Sequence, residues 1–133
     1  MGSVSNQFTS NLQYVTGTFY YMNNIPFKLP DVGFNEVSGY IYFDEEFLVF
    51  DVATSLFGEF SEKEQTIKIE PAAIEDIVVK KGMFKDKVCV RPKKVDLLKA
   101  MPGNFDDEIK LSVAHKHRLK VEKLIDEFNR RTL

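Results

Sequence analysis

The chain has 133 residues, 44% apolar and 29% charged, a balance that fits one globular domain and excludes wholesale disorder. No window reaches the ~20 apolar residues that a spanning helix takes. The start, Met1 to Gln7, lacks the basic and apolar regions of a secretory signal, and the single cysteine cannot form an internal disulfide, so a cytoplasmic setting is the expectation.

Residues 1–12 are rich in Ser, Asn and Gln without periodicity and read as a flexible tail, leaving 13–133 as one domain. Gln13 to Met22 is aromatic and β-branched, a strand candidate interrupted by Gly17. Asn23-Asn24 is turn material, and Pro26, Pro30 and Gly33 predict an irregular connection. From Val37 the strand signal strengthens. Tyr40–Phe43 and Phe47–Phe50 flank Asp44-Glu45-Glu46, a polar gap of hairpin length that lacks the usual glycine. Phe57 to Lys63 reads as a loop. Thr66–Ile69 alternates, placing Ile67 and Ile69 on one core face.

Pro71 to Ile74 predicts one helical turn or a tight corner. Ile77–Val79 and Val88–Val90 then sit either side of Gly82-Met83-Phe84 as a second hairpin. Cys89 lies between Val88 and Val90, so its side chain is expected on the opposite, less buried face. Lys93 to Ala100 fits either a strand or a helical turn, and Pro102-Gly103-Asn104 predicts a turn. Ile109, Leu111 and Val113 alternate most clearly of all. Val121, Leu124, Ile125 and Phe128 fall at i, i+3, i+4 and i+7, one apolar stripe of a terminal helix with Leu119 off it.

Strands, a break near their middle, more strands and one last helix make a pattern that resembles the bacterial pleckstrin-homology-like and GRAM-like domains. Three stretches carry it: Gly39-Tyr40-Ile41-Tyr42-Phe43 to Val52, Ile67 to Ile77 through Pro71-Ala72-Ala73, and Ile109 through Phe128. The resemblance spans roughly 37–130. It implies a mainly β fold with a C-terminal helix: an open barrel of two orthogonal antiparallel sheets capped by that helix, serving as a scaffold for lipid headgroups, peptides or other subunits. Relatives that bind phosphoinositides carry Lys and Arg in and beside the loop joining their first two strands. Here that loop is either the acidic Asp44–Glu46 or, if Tyr14–Met22 is the first strand, one holding only Lys28.

The net charge of −2 hides a strong segregation. Phe34 to Asp76 holds Asp or Glu at 36, 44, 45, 46, 51, 59, 62, 64, 70, 75 and 76 against Lys63 and Lys68. The next stretch is basic, with Lys80, Lys81, Lys85, Lys87, Arg91, Lys93, Lys94 and Lys99 against Asp86 and Asp96. The first seven of these are the candidate binding surface, since clustered cations attract anionic membranes or acidic proteins. Aromatic residues do not interleave with the run as a stacking platform for nucleic acid requires, so nucleic acid is not expected.

There is no Gly-rich phosphate loop, zinc-type cysteine spacing, EF-hand or nucleophile elbow. His115 and His117 lack further ligands at a useful spacing, and Glu45-Glu46 read as turn chemistry. No enzyme activity, cofactor or metal is expected. The leading expectation is an interaction or scaffold module that binds a protein partner or another copy of itself through a sheet edge. The alternatives are a peripheral membrane binder using the basic 80–99 region, and a small-ligand barrel whose cavity Tyr20, Tyr40, Phe47 and Phe50 would line.

Overall fold

The computed structural model describes residues 23–30, 35–56, 62–102 and 107–133. Among these residues, seven strands lie in one antiparallel sheet: β1 (Ile25–Leu29), β2 (Asn35–Phe43), β3 (Leu48–Leu56), β4 (Glu62–Ile69), β5 (Ile74–Lys80), β6 (Lys85–Pro92) and β7 (Ile109–Ala114). Their order is β4–β3–β2–β1–β7–β6–β5, so all links but one join strands adjacent along the chain. The exception, between β1 and β7, has a register of one pair, Lys28 opposite Ser112. Helix α1 (Arg118–Arg131) follows β7 after a 3-10 turn at His115–His117.

Alternation sorts each strand into two faces. Ile25, Phe27 and Leu29, then Val37, Ile41 and Phe43, then Leu48, Phe50 and Val52 point into one core, joined by Ile67, Ile69, Val88, Val90, Ile109, Leu111 and Val113. Phe27 and Phe50 meet edge to face with centroids 6.3 Å apart. Gly39 falls in the same inward row. A Cβ there would stand 2.0 Å from the Asp51 carbonyl oxygen and 3.1 Å from the Phe27 ring, so only glycine lets the β3 backbone come this close. α1 buries Val121, Leu124 and Phe128 against the core, with Ile125 partly buried beside them, and Leu119 is exposed as its off-stripe position predicts. Its last turn is tied down: Arg131 donates to the Asp44 carbonyl at 2.6 Å, sits over the Phe43 ring, and pairs with Glu127 at 2.5 Å.

The β2–β3 turn replaces the missing glycine with an aspartate. The Asp44 carboxylate accepts the backbone N–H groups of Glu46 and Phe47 at 2.7 and 2.6 Å, an Asx arrangement that closes the turn. Pro71–Ala73 forms the expected single turn, here a 3-10 turn, and Val95–Ala100 forms a second one. Three expectations need correction. The connection after Asn24 is not irregular but strand β1, because Pro26 sits near the start of a short strand where a missing N–H costs little. Glu62 and Lys63 belong to β4, opposite Ser55 and Thr54, and not to a loop. Tyr40 and Phe50 cannot share a cavity, since Phe50 is fully buried in the core while Tyr40 stands exposed on the opposite sheet face.

Cys89 faces away from Val88 and Val90 as expected, between Val78 and Lys110 on the neighbouring strands, yet it is only 2% exposed. Burial, with Glu108 adding to it, pushes its thiol above the ordinary value, so the thiolate is suppressed. The strand expected at 13–22, residues 57–61 of the expected loop, Tyr20 and the turn residues Gly103-Asn104 lie outside the described residues. Among those described, no helix is long and apolar enough to cross a membrane.

Candidate functional site

The β5–β6 hairpin gathers the basic residues. On β6 the alternation puts Asp86, Val88 and Val90 inside and Lys85, Lys87, Cys89 and Arg91 outside. Lys80 of β5 stands opposite Lys87, Lys87 opposite Ser112 of β7, and Ser112 opposite Lys28 of β1. One transverse row therefore reads Lys80, Lys87, Ser112, Lys28 across four strands, with Lys85 one step along β6. The same row continues through Ser38 and Ala53 to Glu64, so the outer face passes from basic to acidic across the sheet. None of Lys28, Lys80, Lys85 and Lys87 has a carboxylate within 4 Å among the described residues, and all four are exposed.

Three of the other four predicted residues do not join this row. Lys81 lies in the hairpin connection, while Lys93 and Lys94 follow the end of β6, where the Lys93 N–H donates to the Ala73 carbonyl. Arg91 is on the correct face but already engaged, 3.4 Å from Asp76 and 3.6 Å from Glu108. Its charge is spent locally. Lys28 was invisible as a member because the β1–β7 junction brings it in from far along the chain.

The hairpin tip carries a second feature. Met83 and Phe84 are each 81% exposed, and Lys80, Lys81, Lys85 and Lys87 surround them in sequence. The turn is tight: a Cβ on Gly82 would fall 2.3 Å from the Lys85 carbonyl oxygen. Beneath it lies Asp86, the one buried charged side chain among the described residues. Arg118 of α1 donates to both its carboxylate oxygens at 2.8 Å, the Gly82 N–H donates at 3.2 Å, and His115 Nε2 approaches to 3.2 Å. His115 Nε2 also donates to the Gly82 carbonyl at 2.7 Å. The bidentate Arg118 bond holds the Asp86 carboxyl down at about 2, against the pull of burial in the other direction and with the Gly82 N–H assisting. Hairpin and helix are thereby latched.

The alternation of β6 already placed Asp86 inside with Val88 and Val90, which is the signal that could have revealed the latch. Its partners His115 and Arg118 could not be read locally. The two histidines separate, His115 to the latch and His117 to an outer groove, where burial and the nearby Lys120 and Lys116 push its pKa down. That groove, about 1160 Å³, is bordered by Lys28, Lys85, Tyr40, Tyr42, Asp51 and His117, with small residues such as Ser38, Ala53 and Ser112 among its lining. Tyr42 and Thr66 both donate to Asp51 at 2.9 Å, and burial together with Asp51 pushes the Tyr42 hydroxyl up to about 12. No group of three or more metal-ligating side chains occurs among the described residues.

Comparison with protein-family models, with characterised proteins and with solved structures gives no match for the chain.

Proposed function

We propose that the chain is a non-enzymatic interaction module of the pleckstrin-homology-like type, and that its basic β5–β6 end docks on an anionic surface. The architecture is supported by the strand order, by the narrow β1–β7 junction that would divide the sheet into a four-stranded and a three-stranded part, and by the one α-helix among the described residues, which packs on the core. In this reading the two parts are the orthogonal sheets of an open barrel and α1 is its cap.

One observation carries the function: Lys80, Lys85, Lys87 and Lys28 lie together on one face without carboxylate partners among the described residues. Unneutralised lysines are attracted to negative surfaces with a range set by the Debye length, about 8–10 Å near physiological salt. The test is retention on a sulfonate matrix at neutral pH, where net charge −2 alone predicts flow-through. The chain is expected to bind at low salt and to elute as salt rises. Reversal of Lys80, Lys85 and Lys87 to Glu should abolish retention, whereas reversal of Lys93 and Lys94 should leave most of it. Equal loss from both sets would overturn the assignment to the row.

A protein strand added to a sheet edge is a second reading. Among the described residues β5 ends the sheet order, pairs with β6 alone and keeps Val78 41% exposed. Opposite β5, the β4 edge is lined with charge and Gln65 donates across to the Ala100 carbonyl. Val78→Lys should abolish self-association or partner-strand binding in sedimentation velocity if the β5 edge is used, and leave it unchanged if it is not.

A further inference from the structure

We infer that the anionic surface is a lipid bilayer and that the β5–β6 hairpin enters its interface with Met83 and Phe84. The inference rests on the basic-end reading above and adds a depth to it. An acidic protein surface would be met by the lysines alone. Two large apolar side chains, each 81% exposed at the very tip and bracketed by Lys80, Lys81, Lys85 and Lys87, have no use for a wholly polar partner. They match the two layers of a membrane interface: acyl chain boundary for the tip, headgroup phosphates for the ring of lysines behind it.

Their outward position is built in. The turn from Gly82 to Lys85 is too tight for a side chain at Gly82, and the latch under it fixes both ends of the turn. Asp86 is tied to Arg118 and to the Gly82 N–H, and the Gly82 carbonyl to His115. Met83 and Phe84 are therefore presented on a rigid support, so little ordering is lost on docking. Asp86 is the only acid within the hairpin tip, and burial against Arg118 withdraws its charge from the surface. The Arg118 contact also brings the first turn of α1 to the same end, with Lys116 and Leu119 exposed there.

The chain has no tryptophan, so Phe84→Trp supplies a single reporter. With vesicles rich in phosphatidylserine, its emission should shift to the blue and be quenched by lipids brominated on the acyl chains. Vesicles of phosphatidylcholine alone should give neither. Partition should weaken about 5-fold for each of Lys80, Lys81, Lys85 or Lys87 changed to Ala, and fall steeply with salt. In the chain without the reporter, Met83→Ser with Phe84→Ser should lower vesicle co-sedimentation about 10- to 100-fold. Both positions are solvent-exposed, so an unchanged circular dichroism melt separates lost docking from lost fold. Salt-sensitive vesicle binding that ignores the two serines would overturn insertion while leaving the basic-end reading intact. Absence of vesicle binding at low salt, with retention on sulfonate preserved, would overturn the bilayer and leave an acidic protein as the partner. Loss of both would overturn the basic end itself.

Discussion

Asp86 shows how much one side chain can be asked to hold. It sits inside, where an unpaired carboxylate would be costly, and two charge-assisted bonds from Arg118 together with a backbone N–H keep it ionised. The sign of its pH dependence follows from the depressed pKa. A carboxyl held at about 2 against an ordinary 3.8 contributes stability that is complete above pH ~4 and is lost as pH falls towards 2. Asp86→Asn leaves Arg118 without its partner, but Arg118 keeps a third of its side chain in solvent, so the cost at neutral pH should be about 2 kcal/mol. Urea midpoints measured from pH 7 to pH 2 check this: the variant should lose the acid-dependent part of the wild-type curve in that low window. A variant curve parallel to wild type would refute the assignment.

Among the elements, the terminal helix was the most legible, yet it too depends on tertiary contacts. It begins without a side-chain N-cap and its first turn has no acidic residue, so its own start contributes little. What fixes it is the buried stripe, the Arg118–Asp86 latch at one end and Arg131 on the Asp44 carbonyl at the other. Leu124→Ala should cost about 2–5 kcal/mol by leaving a cavity, whereas Leu119→Ala, in solvent, should change stability by no more than about 0.5 kcal/mol. Chemical denaturation of the two variants reads the contrast. The stripe was readable because its spacing repeats within eight residues. β1 was not: five residues with a proline offer too little pattern to outweigh the breaker signal, and the strand exists because β2 and β7 flank it.

For the whole molecule, the narrow β1–β7 junction raises the question of whether the two parts of the sheet melt separately. The core answers it: Phe27 and Phe50 on one side and Ile109, Leu111 and Val88 on the other belong to one continuous apolar cluster closed by Val121, Leu124 and Phe128. Backbone pairing is thin there, but the packing is shared, and packing carries most of the stability. Unfolding should therefore be a single transition, with far-ultraviolet circular dichroism and tyrosine fluorescence giving coincident midpoints. Two separated midpoints would mean that the parts are independent. By itself the amino-acid order determined what repeats locally: alternation set the inward and outward faces of most strands, helical spacing set α1, and the run of lysines marked the basic stretch. Only the tertiary structure decided which lysines act together, since adjacency across strands depends on register. It added Lys28, detached Lys93 and Lys94, neutralised Arg91 and buried Asp86. The physical reason is range: side-chain periodicity is a property of a few consecutive residues, whereas a charged surface is assembled from strands that meet only when the core has formed.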